Sequence, residues 1–324
     1  MRSKFFRVIV KLILTIIVFV AFYNLINIDD LKLLFSRISL LSIIIYLAVY
    51  FLVYLMRALR FYLLTDKKTG MFKWLLITCI HSLYNRILPA RSGEVSLLYY
   101  AKSIGNIDML SSLNILLISR IGDLISVILL FLVALISSYS TLHVYPKLII
   151  ITLAIVLIIL FILVKHLKGT LRFCISLVNK IFSRLKIFHK LQNKLNDINI
   201  DSISELSNRS LIQVIGISMV QWIVLYYLFF IILEAINCGL SFSIVILGSA
   251  YSNISNLIPI SAVGGFGTME AGWVLGFTIL GIDRNTALST GFTVNLLTFV
   301  LTVVLGVLGF LYSKVCGLKK INIG

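Results

Sequence analysis

Five charged residues sit at spacings that could bind an anion. Arg86, Arg91 and Glu94 surround a tip, Pro89-Ala90-Arg91-Ser92-Gly93-Glu94, and Arg120 and Asp123 lie together inside a long apolar stretch. A guanidinium presents paired N–H donors that match a phosphate bidentately, so arginines gathered in an apolar chain suit a cradle for an anionic head group. The spacing also allows a simpler role. Arg91 and Glu94 are three residues apart, as are Arg120 and Asp123, so where the chain is helical each pair shares a face. Such pairs could neutralise each other and only hold helices together.

A second polar cluster follows another proline. Asn253 and Asn256 precede Pro259, and Gly264, Gly265, Gly267, Thr268 and Glu270 follow it. Glycines let main-chain amides approach a ligand, and a helix starting near Thr268 would point its positive dipole end at the tip. A tight turn that needs small residues is the alternative. His81 and Gln221 are expected to be satisfied interhelical polar groups, and no role is assigned to them. Cys79, Cys174, Cys238 and Cys316 are scattered without metal-ligand spacing. No metal and no cofactor are expected.

The elements that position these residues belong to a membrane. Of 324 residues, 60% are hydrophobic and 13% charged, and the mean hydropathy is +1.07. A soluble domain carries about a quarter charged residues, and a bilayer span needs ~20 apolar ones. The expected fold is all-α and integral to the membrane, with about six spans and two re-entrant helical hairpins. The spans are read at 6–26, 40–64, 110–136, 147–164, 211–233 and 286–311, with Arg57 and Arg60 near enough to the end of the second to snorkel. The first follows Arg2, Lys4 and Arg7 without a small-residue cleavage site, so it is read as retained. The hairpins are 74–104, around Pro89, and 242–281, around the glycine tip. Each arm is too short to cross alone, and such broken segments are tolerated only where protein or a cavity surrounds them. A charge at mid-bilayer costs at least ~2.5–3.5 kcal/mol on insertion scales, so the charged tip residues should face a cavity or a partner.

The net charge of +17 follows from 29 Lys and Arg against 12 Asp and Glu. In a membrane chain this points to basic cytoplasmic loops and anionic lipid surfaces, not to nucleic acid. The loop 165–209 holds nine Lys or Arg and three acids, and its apolar residues recur every three or four positions from Leu171 to Phe188. It is expected to lie as an amphipathic helix on the inner leaflet, against anionic lipids. Re-entrant hairpins put the N-terminus, the loop with Lys67, Lys68 and Lys73, the 165–209 loop and the C-terminus on one side. That side is then cytoplasmic, in a multi-pass cell-membrane protein. Hairpins that each cross twice would sort the charges equally well.

The hairpins also align with each other. Asn85 precedes Pro89 by four residues, and Asn256 precedes Pro259 by three. Glu94 to Gly105 and Glu270 to Gly281 are both eleven residues; Arg120 and Asn295 each lie twelve past an aspartate, Asp108 and Asp283. The chain then divides into 1–140 and 141–324, each reading span, span, hairpin, span. Three crossings per half would invert the second half, as in alternating-access transporters.

The segments Pro89-Ala90-Arg91-Ser92-Gly93-Glu94, Arg120-Ile121-Gly122-Asp123 and Gly264-Gly265-Phe266-Gly267-Thr268, with Glu270-Ala271-Gly272, resemble the lysylphosphatidylglycerol synthase/flippase transmembrane family. That family is the membrane half of the bacterial multiple peptide resistance factor and also occurs as stand-alone proteins. One departure is Ala262-Val263, where the family often has a second proline before the paired glycines. The resemblance implies movement of lipids between leaflets. Synthesis of aminoacylated lipid resides in a soluble domain of the family that this sequence does not contain, so no enzyme activity is expected.

The expected function is a flippase or transporter for an anionic phospholipid or polyprenyl-linked lipid. Arg86, Arg91 and Arg120 would bind the head group, and Glu94, Asp123 and Glu270 would gate or take up protons. Two alternatives remain: an integral-membrane glycosyltransferase using Asp29-Asp30, or a non-transporting partner of a cell-envelope enzyme. A homo-oligomer is compatible with each.

Overall fold

A computed structural model describes residues 39–88, 93–138, 208–235, 237–255 and 263–317, with the single positions 151, 155, 158 and 169. Among the described residues there are eight α-helices: α1 (Leu40–Leu64), α2 (Met71–Ile87), α3 (Glu94–Gly105), α4 (Met109–Ser137), α5 (Asn208–Ala235), α6 (Phe242–Ser255), α7 (Thr268–Ile279) and α8 (Arg284–Val315). A short 3₁₀ turn, Val263–Gly265, precedes α7. There is no strand among the described residues.

Among the described residues, four helices are long and apolar enough to cross a membrane, within α1, α4, α5 and α8. At ~1.5 Å per residue each exceeds the ~30 Å hydrocarbon core. The other four cannot cross alone, since α2 has 17 residues, α6 14, and α3 and α7 12 each. The expected spans at 40–64, 110–136, 211–233 and 286–311 therefore coincide with long helices, and both hairpins are pairs of short ones. The spans expected at 6–26 and 147–164, and nearly all of the loop 165–209, lie outside the described residues.

Local chemistry accounts for several helix starts. Ser39 Oγ accepts from the Ser42 amide at the start of α1. Asp108 accepts from Ser111 N–H at 2.8 Å ahead of α4, and Asp283 from Asn285 and Thr286 ahead of α8. Such caps satisfy amides that have no partner in the first helical turn. The two aspartates that align in sequence are thus both N-caps of the long helix that follows a hairpin.

Packing joins the halves of the chain. The arm α2 lies on α1 and on α8; the arm α6 lies on α5 and on α4; and α1 packs against α5. The hairpin α6–α7 is tight because Gly276 lies against the Gly248 carbonyl, where an added Cβ would collide. The core is aromatic-rich, with Trp74, Trp273, Tyr54, Tyr226, Phe266 and Phe277 fully buried. Outward faces are apolar as well. Leu40, Ile44, Leu47 and Phe51 on α1, and Val300, Val304, Leu308 and Leu311 on α8, are exposed at helical spacing. Unbroken apolar stripes of this length need acyl chains as their surroundings.

Candidate functional site

Between these helices lies a chamber of about 390 Å³, lined from α1, α2, α4, α5, α6, α7 and α8. Its charged lining is Arg57, Arg60, Arg86, Arg120 and Asp123. A volume of a few hundred cubic ångströms suits a small ligand or a lipid head group.

The carboxylates are already taken. Asp123 receives both terminal nitrogens of Arg60, at 2.6 and 3.3 Å, and Trp222 Nε1–H at 3.1 Å. Arg60 Nη1 also donates to Ser218 at 2.7 Å. Arg120 pairs closely with Glu94 and stands 3.7 Å from Asp123. Two sequence-based expectations are corrected here. The Arg120–Asp123 pairing is secondary, because Arg60 reaches Asp123 from across the bundle and Arg120 turns to the hairpin. Arg60 does not snorkel: at 2% exposure it is a core ion-pair partner. Desolvating a guanidinium is tolerable only where carboxylate and hydroxyl acceptors meet it, as they do at both terminal nitrogens here; Nε is buried without a hydrogen-bond partner among the described residues.

Arg86, at the end of α2, ties the first hairpin to the second half. Its Nη1 donates to the Gly264 carbonyl at 2.7 Å and to Asn295 Oδ1 at 2.9 Å, and its Nη2 donates to Thr298 at 3.1 Å. Behind it, Asn295 donates to Glu270 at 2.7 Å, whose other oxygen accepts the Gly267 amide at 2.7 Å. Glu270 is 1% exposed and its bonds are spent on the turn that starts α7. Gly264, Gly265 and Gly267 all have positive φ, which allows this turn. Thr268 bonds back to the Gly265 carbonyl at 3.3 Å. The glycine tip therefore offers Arg86 a carbonyl and gives the Gly267 amide to Glu270.

Chamber and tip together gather Arg86, Glu94, Arg120, Asp123, Asn253, Gly264, Gly265, Gly267, Thr268, Glu270 and Asn295. Asn253 lines the chamber and donates to Tyr226 at 3.1 Å. Arg91 and Asn256 lie outside the described residues. The glutamates that align in sequence are each held by the aligned residue of the next long helix, Glu94 by Arg120 and Glu270 by Asn295. His81 meets Ser96 at 3.2 Å and stands 3.7 Å from Glu94. Gln221 departs from expectation, since its buried Oε1 has no hydrogen-bond partner.

Tyr50, Tyr54 and Trp222 were not singled out from sequence, and Arg57 only as a residue able to snorkel near the end of a span. A signal existed: Tyr46, Tyr50, Tyr54, Arg57 and Arg60 recur every three or four residues along an otherwise apolar helix, marking one polar-tipped face of α1. Arg57 stands over the Tyr54 ring at 5.8 Å and has no hydrogen bond or ion pair among the described residues.

The model of one protein family, described as the lysylphosphatidylglycerol synthase TM region, matches residues 8–306, and the chain belongs to that family. No curated protein matches. No solved structure matches.

Proposed function

We propose that this member of the lysylphosphatidylglycerol synthase transmembrane family moves an anionic phospholipid or polyprenyl-linked lipid from one leaflet to the other. The observation that carries the proposal is the arginine-lined chamber, to which long helices and hairpin arms of both halves contribute. A membrane protein tolerates a polar cavity of this kind where a polar group must pass or be held. The family itself supports a membrane lipid-related role.

Transport requires the chamber to open to each side in turn, and the packing supports a way to do this. Exchanging α1 with α5, α2 with α6 and α4 with α8 maps α2-on-α8 onto α6-on-α4. The matched aspartate caps and the matched glutamate partners obey the same exchange. We take 1–140 and 141–324 as the two halves, the second inverted, with both termini cytoplasmic and the basic loop 165–209 on anionic inner-leaflet lipid. Rocking one half against the other would alternate access to the chamber. The chain acts as a carrier, not an enzyme.

The test is leaflet exchange of labelled lipid in proteoliposomes of the full chain, with and without sugar-nucleotide donors. Protein-dependent exchange without any donor is expected. Absence of exchange together with donor-dependent modification of the lipid would overturn the proposal in favour of a glycosyltransferase.

A further inference from the structure

Two of the four chamber arginines, Arg57 and Arg86, form no ion pair among the described residues, whereas Asp123 and Glu94 are held by arginine and Glu270 by Asn295 and the Gly267 amide. The chamber lining sets Arg57, Arg60, Arg86 and Arg120 against Asp123, and even with the flanking Glu94 and Glu270 counted in, the site stays one charge positive (4 − 3). An ammonium group entering it would meet an excess of guanidinium groups, with Asp123 and Glu94 already ion-paired to arginine, in surroundings where screening is weak. A phosphodiester would meet Arg57, whose donors are unspent among the described residues. Beside it the Tyr54 hydroxyl is buried, close to Tyr50 and Thr302, and makes no hydrogen bond of good geometry among the described residues.

The uncharged part of the lining is equally selective. Thr78, Ser119 and Thr302 each donate to the carbonyl one turn back in their own helix, at 2.7 Å in every case. A hydroxyl committed in this way still has acceptor capacity to spare. All three line the chamber; Thr302 already accepts the Tyr50 hydroxyl at 2.7 Å and keeps one lone pair, and the lone pairs of Thr78 and Ser119 suit ligand O–H donors.

Resting on the transport reading above, we infer that the chamber selects a polyhydroxylated phosphodiester head group, glycerol or sugar, over amine-bearing head groups. Arg57 with Tyr54 is the phosphate subsite, and Thr78, Ser119 and Thr302 receive the hydroxyls. Selection arises from both terms: the excess of guanidinium repels an amine, and the committed hydroxyls accept from a polyol.

Binding and exchange are measured separately on the full chain. Binding uses short-chain phosphatidylglycerol, phosphatidylinositol, phosphatidylethanolamine and lysyl-phosphatidylglycerol in detergent. The readout is the fluorescence of Trp222, which lines the chamber, with Trp222→Phe as the blank. The two polyol lipids are expected to bind at least tenfold more tightly than the two amine-bearing lipids. Arg57→Ala should erase most of that difference and Arg57→Lys should restore part of it, with melting temperatures checking that both variants fold. Equal or tighter binding of either amine-bearing lipid overturns the inference, as does an Arg57→Ala protein that folds and binds the polyol lipids normally. Long-chain labelled versions then report exchange. Selective binding without exchange would remove the transport reading and keep the head-group selection. Exchange without selectivity would do the reverse.

Discussion

The guanidinium of Arg86 and the main-chain oxygen of Gly264 meet at 2.7 Å across 178 residues of sequence. This bond fastens the end of the first hairpin to the turn of the second. Because Asn295 and Thr298 share the same guanidinium, Arg86 sets the distance between α2, the glycine tip and α8. Its three acceptors lie in different directions, which a planar fork can satisfy and an ammonium cannot. Arg86→Ala should lower stability by roughly 1.5–3 kcal/mol, the range for a hydrogen bond from a charged group, and Arg86→Lys should recover only part. Thermal unfolding in detergent measures this; an unchanged melting temperature in Arg86→Ala would mean that the tie holds nothing.

The Arg60–Asp123 pair gives a second expectation. Removing one member of a buried pair strands the other charge, at about 3–5 kcal/mol, whereas removing both does not. Arg60→Ala and Asp123→Ala should each destabilise strongly, and the double variant by clearly less than their sum. Arg120→Ala combined with Asp123→Ala should be closer to additive, since the 3.7 Å contact between them is the weaker one. If the Arg120 pair shows the larger coupling, the assignment of partners is wrong.

Topology is open to a direct check. Lys67 follows α1 and Arg284 begins α8. The positive-inside pattern puts the first in the cytoplasm and the second outside. A cysteine at position 284 should react with an impermeant thiol reagent added to intact cells, and one at position 67 only after permeabilisation. Labelling of both from outside would refute the inverted arrangement.

Asp283 adds a pH dependence with a defined sign. The Thr286 amide holds its carboxyl below the usual range against the opposing effect of desolvation, with help from the Asn285 amide, the Thr286 hydroxyl and the Arg284 amide. A carboxyl depressed in the folded state contributes stability above its unfolded pKa, and that contribution is lost as pH falls through the folded value. The contribution is therefore intact at neutral pH and fades in the acid range below ~3.9, the model aspartate value. Asp283→Asn should be less stable than the parent at pH 6, and the gap should shrink towards pH 3. A gap that stays constant over this range would rule out the cap as its source.

The sequence made some of these features legible and hid others for physical reasons. Long apolar runs and the breaks at Pro89 and Pro259 mark the long helices and the short hairpin arms, because burial and proline act locally. The Glu94 and Glu270 positions are found by their spacing to Gly105 and Gly281. The partners of Asp123 are different: Arg60 and Trp222 are 63 and 99 residues away. The nearest cation in sequence, Arg120, looks like the partner only while the bundle is ignored. Nor does a glycine-rich tip declare which of its main-chain atoms will face inward. Here the carbonyl of Gly264 faces inward to Arg86, while the Gly267 amide is held by Glu270.

The last prediction uses a native thiol. Cys79 on α2 is free and buried, and a Cβ built at Gly309 on α8 would lie 3.1 Å from the Cys79 Cβ. A disulfide places its two Cβ atoms ~3.5–4.5 Å apart, so a shift of less than an ångström lets Gly309→Cys bond to Cys79. That bond would join the first hairpin to the last long helix, across the two proposed halves. If access alternates by movement between those halves, oxidation should stop lipid exchange and reductant should restore it. Cys79→Ser in the Gly309→Cys background supplies the control, since it carries the same bulk at position 309 and cannot form the bond. The parent chain, which lacks the second thiol at this contact, should be insensitive to the oxidant. Exchange that continues at the parental rate, with the disulfide verified by mass, would mean that α2 and α8 move as one body. The boundary between the moving parts would then have to lie elsewhere, and rocking of 1–140 against 141–324 would be excluded as the transport motion.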